Sequence, residues 1–288
     1  MSIRTILVLF DGGNESKSAL QTAFAVGRDL AAHIDVLHLR TDPKDTVPLL
    51  GEGMSAAMIE EMVNLASKET ADRAAKARGI FDDFCSRYGI PSRDGPGGQE
   101  EVSTAWIEET GRQDAAMIRR GRLADLIVVG RPTPESDSSV TMTLNAALFE
   151  TGRRVLVAPL LAPSSLGRKT AIAWNGSAEA SRAVANAMPF LTRSEAVIIL
   201  TAETDKTPLS VADELAAYLA WHGVAAEILT FSPERRPVAE ALLGEASNSG
   251  AELLVMGGYS HSRMRQLILG GVTRHVLAAA ELPVLMVH

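Results

Sequence analysis

The chain repeats itself, and that repeat limits its fold more than any single motif does. The opening stretch TILVLFDGGNESKSAL and the later TAIAWNGSAEASRAV align with Phe10 against Trp174, Asp11 against Asn175, Gly12 against Gly176, Glu15 against Glu179 and Ala19 against Ala183. Each reads as an apolar strand, a tight glycine turn and a helix. Further along, ADLIVVG ending at Gly130 aligns with AELLVMG ending at Gly257, and RRVLVAP aligns with LPVLMVH. The offset between copies shrinks from the first matches to the later ones, so the first copy carries roughly 35 additional residues in its middle. There residues 58–89 read as one long amphipathic helix.

Each copy alternates strand and helix and contains five strands. Short runs such as AVIIL and LLVM are apolar throughout, as parallel strands covered on both faces are. The expectation is an α/β sandwich in each copy. The segment LAPSSLGRK, residues 161–169, is rich in Pro, Ser and Gly and separates a last strand from a new first strand. This places one domain over residues 1–160 and a second over 168–288. The final strands, RVLVAP and PVLMVH, are apolar edges that need cover, so the two copies are expected to pack on each other there as an intramolecular pseudo-dimer.

Composition excludes several classes. With 288 residues, 46% of them hydrophobic and the charges mixed, the chain can build a sizeable core as a globular protein. Its single cysteine, Cys85, allows no internal disulfide and no cysteine zinc cluster, which suits the cytoplasm, and reads as a small buried hydrophobe. The opening MSIRTILVLFDGG has too short an apolar run for a leader, and no later run approaches a membrane span. The net charge of −7 argues against a general nucleic-acid binder. One segment departs from that balance: between Leu253 and Ala280 there is no acid, only Arg263, Arg265, Arg274, His261 and His275.

That basic segment coincides with two glycine pairs, Gly257-Gly258 and Gly270-Gly271. In a doubly wound sheet, ligands bind beyond the carboxyl ends of the strands, where helix N-termini present unpaired N–H groups. Both glycine pairs, and the WNGSAEAS turn after the second copy's first strand, fall at such ends. The helix after Gly271 is expected to turn Val272, Val276 and Ala279 or Ala280 to one face. A glycine turn alone is weak evidence of a site.

The spacing carries more. Gly257, Ser260, Gly270 and Gly271, followed by VTRHVLAAAELPVLMVH, resemble the universal stress protein family, whose nucleotide-binding members carry Gly, two residues, Gly, nine residues, Gly and then Ser or Thr. Here Ser260 takes the place of a glycine, and Gly271 stands where Ser or Thr is usual. The resemblance covers the whole chain as two tandem copies. It implies two nucleotide-binding-type, three-layer α/β/α domains, Rossmann-like or adenine nucleotide alpha hydrolase-like, each with a mainly parallel five-stranded sheet. It further implies a stress-response regulator of a kind that holds ATP in some members and no ligand in others; because only the second copy keeps the glycine spacing, ATP is expected in the C-terminal half alone, with magnesium unassigned. Phosphate contacts would come from Gly257, Gly258, Ser260, Gly270, Gly271, Val272 and Thr273, and the ribose and base side from Trp174, Asn175 and Gly176. Asn175 replaces a more usual Asp and keeps a hydrogen-bonding oxygen.

The first copy departs further. After Gly130 comes RPTPESDSSVTMTLN, with two prolines, two acids ahead of the helix and no glycine, so its phosphate loop reads as lost. Its DGGNES turn also invites comparison with the Ser-Gly-Gly-X-Asp-Ser loop of ATP pyrophosphatases, but Asp11 stands where the first Ser belongs and would repel pyrophosphate.

Other residues carry less. His261, His275 and His288 have no Cys or carboxylate beside them to complete a metal set. Ser16, Ser181 and Ser260 lack a GxSxG elbow, and no general base is visible in the pattern. Trp174 and Trp221 can stack on a base, although Trp174 at a strand end reads more readily as core. Two functions stay open, a nucleotide-binding regulator and a ligand-free interaction scaffold. Neither the protein partner, the stress signal nor a further homodimer can be read from the sequence.

Overall fold

The computed structural model describes residues 2–42, 55–96, 101–163, 165–203, 210–258 and 271–288. The first half runs β1 (Thr5–Leu9), α1 (Asn14–Leu30), β2 (His33–Arg40), α2 (Ala56–Tyr88), β3 (Ser103–Thr110), α3 (Gln113–Gly121), β4 (Leu126–Gly130), α4 (Ser138–Glu150) and β5 (Arg154–Ala158). The second runs β6 (Lys169–Ala173), α5 (Ala178–Leu191), β7 (Ala196–Ala202), α6 (Ser210–Trp221), β8 (Ala226–Phe231), α7 (Val238–Asn248), β9 (Leu253–Gly257), α8 (Gly271–Ala279) and β10 (Val284–Val287). Strand and helix alternate in both halves as the repeat demands.

The two five-stranded sheets are joined edge to edge. One ten-stranded sheet runs in the order β3-β2-β1-β4-β5-β10-β9-β6-β7-β8. Pairing is parallel everywhere except at the centre, where β5 and β10 meet antiparallel with Leu156 opposite Leu285. These are the two apolar strands expected to meet. Every residue of both is buried, so either edge left open would expose a ladder of unpaired amides beside apolar side chains.

Alternation along the strands divides the core into two layers. On one face Ile6, Val8, Phe24, Phe81, Leu156, Ile172 and Leu285 pack together, and on the other Leu7, Ile127, Val155, Leu254 and Met286 do. Helices cover both faces, which gives the three-layer α/β/α arrangement. The long helix expected over 58–89 is α2. Ser55 caps its start by accepting from the Met58 amide, and Gly89 ends it in the left-handed conformation at φ 62°. Only its second half is anchored, through Ala74, Ala77, Phe81 and Phe84. Cys85 is half-buried rather than enclosed, and burial, reinforced by Asp82, pushes its thiol up to about 11. No helix among the described residues is long and apolar enough to cross a membrane.

Candidate functional site

In each half the chain winds outward from its first strand and returns on the other side with its fourth, so β1 borders β4 and β6 borders β9. A crevice opens at the carboxyl ends of each pair, where such folds take ligands. The two crevices are built from the same parts and finished differently.

In the C-terminal crevice the turn after β6 is tied down locally. Asn175 Oδ1 accepts from the Ser177 amide at 3.1 Å, and Ser177 caps α5 by accepting from the Ala180 amide at 3.2 Å. Gly176 adopts φ +71°, and a Cβ there would lie 2.9 Å from Val211 Cγ1. Trp174 is half-buried against the core and donates its indole N–H to the Val211 carbonyl at 2.9 Å. A concavity of about 210 Å³ lies beside it, lined by Trp174, Ser181, Val184, Glu214, Leu215 and Tyr218. Thr201, at the end of β7, is 2% exposed, and its hydroxyl finds no partner among the described residues.

The glycines after β9 divide their work. A Cβ on Gly257 would lie 2.5 Å from the Ala180 nitrogen, so this glycine lets the first turn of α5 cross directly over the strand end. Gly258 donates its amide to the Val287 carbonyl at 2.8 Å, and its own carbonyl faces His288 Nδ1 at 3.3 Å. Its N–H is therefore engaged in the sheet. Ser260 and Gly270, with His261, Arg263 and Arg265, lie outside the described residues. Gly271 opens α8, and a Cβ there would meet no atom of the described residues within 4 Å; Val272 is 39% exposed and Thr273 is buried. The inward face of α8 is Thr273, Val276, Leu277 and Ala280, which leaves Val272 and Ala279 outside it.

The corresponding region of the N-terminal half is built with different contacts. Gly130 repeats the packing role, since a Cβ there would lie 2.6 Å from the Glu15 carbonyl oxygen. The loop after β4 folds back on α1 through Ser136, whose hydroxyl donates to Glu15 Oε1 at 2.9 Å. Arg131 is 7% exposed, with Nη1 lacking a partner among the described residues, and burial lowers its pKa against the pull of Glu281. Asp11 accepts from the Gly13 amide at 2.7 Å and from Ser16 Oγ at 2.6 Å, so the turn's amide is met by a carboxylate of the turn itself. Beside Phe10, His38 donates from Nδ1 to the Phe10 carbonyl at 2.8 Å and stacks on Trp106 at 5.3 Å, with Phe81 and Arg78 of α2 closing over the indole.

Strand register equates His38 with Thr201 and Trp106 with Ile228. The second half has smaller groups where the first has a stacked pair. Spacing could not show this, because the pairing joins residues on different strands.

Among the described residues no group of three or more His, Cys, Asp or Glu could hold a metal ion. The Thr201 hydroxyl, without a partner among the described residues, the concavity beside Trp174 and the start of α8 all lie in the C-terminal half.

Two solved structures share the architecture over nearly the whole chain. A universal stress protein from Archaeoglobus fulgidus DSM 4304 superposes over 98% of this chain and 97% of its own, with a TM-score of 0.71 at 16% identity. A putative universal stress protein from Pseudomonas aeruginosa UCBPP-PA14 covers 99% of this chain and 93% of its own, with a TM-score of 0.58 at 15% identity. A universal stress protein solved in complex with cAMP aligns with 55% of this chain and 98% of its own, with a TM-score of 0.30 at 15% identity. No curated protein matches the chain. The sequence profile of the universal stress protein family matches residues 2–134 and again residues 168–288, and the chain belongs to that family.

Proposed function

We propose that this protein is a cytoplasmic stress-response regulator of two domains, residues 1–160 and 168–288, that binds one adenine nucleotide, ATP, in its C-terminal half. The observation that carries this reading is the contrast between the crevices. In the first half His38 stacks on Trp106 and the loop after β4 is tied to Glu15, whereas the second half has Thr201 and Ile228 at the aligned positions and a concavity beside Trp174. Phosphate would lie against the start of α8 at Gly271 and Val272, where the helix dipole favours an anion.

Titration calorimetry with ATP tests the proposal. One site per chain is expected, with binding abolished in Gly270→Val and unchanged in Arg131→Met. A stoichiometry near two defeats the asymmetry argument. Absence of binding favours the second reading, a ligand-free interaction protein, for which the 90% exposed Trp221 beside the 44% exposed Tyr218 is the supporting feature.

A further inference from the structure

The opposite end of the sheet carries chemistry that the nucleotide reading does not use. His33 and Ser103 open β2 and β3 and face each other in register. Ser103 Oγ lies 2.8 Å from His33 Nδ1, and His33 Nε2 lies 3.3 Å from Asp35 Oδ1. A carboxylate accepts and cannot donate, so Asp35 favours the tautomer with the proton on Nε2. That leaves the Nδ1 lone pair to accept from the Ser103 hydroxyl, the order of groups that activates a serine.

These three residues share a wall of a cavity of about 430 Å³, a volume suited to a small molecule. Ser103 itself is 4% exposed and lines this cavity. The fold does not require the arrangement. Strand register equates His33 with Ala196, Asp35 with Ile198 and Ser103 with Ala225, so the second half builds the same strand ends from Ala, Ile and Ala.

We propose that Ser103, His33 and Asp35 form a hydrolytic site for small esters, separate from the nucleotide crevice. Ser103 Oγ bonds to the acyl carbon while its proton passes to His33 Nδ1. The bond to the leaving alcohol then breaks, and the alcohol departs with that proton. Water attacks the acyl-serine, gives a proton to the same nitrogen, and the acid is released as the serine hydroxyl is restored. Asp94 and Glu101 on the cavity wall disfavour anionic substrates. Asp35 acts as a positioning residue through His33.

The test uses the full chain with p-nitrophenyl acetate and, separately, a fluorophosphonate probe mapped by mass spectrometry. The expected results are an adduct on Ser103 and saturable hydrolysis that falls at least about 100-fold in Ser103→Ala and His33→Gln. Asp35→Asn should lower kcat with KM unchanged, a split that a merely structural role would not produce. Should a variant fail to fold, labelling of the unaltered chain decides alone. A wild-type chain that is not labelled at Ser103, or hydrolysis that survives in folded Ser103→Ala, overturns the proposal.

Discussion

Gly257 sits beneath Ala180 so closely that a Cβ on the glycine would lie 2.5 Å from the alanine's amide nitrogen, and Gly130 stands in the same relation to Glu15 at 2.6 Å. Both clashes are with backbone, which cannot swing aside as a side-chain tip can. Gly257→Ala and Gly130→Ala should each cost about 1–3 kcal/mol, read as a lower midpoint in urea. Gly257→Ala should also weaken ATP binding, because it lifts α5 off the crevice. An unchanged midpoint in both variants would remove the packing role.

Two buried arginines should respond oppositely to replacement. Arg154 is 7% exposed and donates from Nη1 to the Asn186 carbonyl at 2.7 Å, linking β5 of one half to α5 of the other. Burial depresses its pKa, as it does that of Arg131, whose Nη1 has no partner among the described residues. Arg131→Met relieves a desolvated charge and should be neutral or stabilising. Arg154→Met deletes a charge-assisted bond and should cost about 1.5–3 kcal/mol. Urea midpoints compared at one pH rank the two, and the reverse order would refute the assignment.

Acid should weaken the protein through Glu109. The hydrogen bond from Arg120, at 2.8 Å to Nε, is the main influence holding its carboxyl below the usual value of 4.5, with the charges of Arg120 and Arg119 assisting against burial. A depressed folded pKa means that the stabilisation is complete above the unfolded value and is lost as pH falls through the folded one. Unfolding midpoints measured from pH 6 down to 3 should therefore fall less steeply in Glu109→Gln than in the parent. Parallel curves would show that the pair contributes nothing.

Trp174 should act as part of the core rather than as a free stacking plate. Its N–H is held by the Val211 carbonyl, so Trp174→Phe should cost about 1 kcal/mol of stability. ATP affinity should fall less than tenfold, since the indole is not free to swing onto a base. Calorimetry showing complete loss of binding in a folded Trp174→Phe protein would give the indole a direct contact instead.

The sequence by itself determined the alternation of strands and helices, the two copies, the long helix of the first copy and the apolar final strands. These features are local or periodic, and hydrophobic pattern encodes them residue by residue. The two first turns were legible as well, since Gly12 and Gly176 both take positive φ where a tight turn needs it. Tertiary structure alone decided what each glycine after β9 is for. Gly257 is required by the crossing of α5 and Gly258 is held by β10, and neither contact is visible in their spacing. It also decided that two sheets become one through Leu156 and Leu285, that His38 stacks on Trp106, and that His33 meets Ser103. Each of these joins residues on separate strands, and which residues meet depends on register, which only the packing of the whole sheet sets.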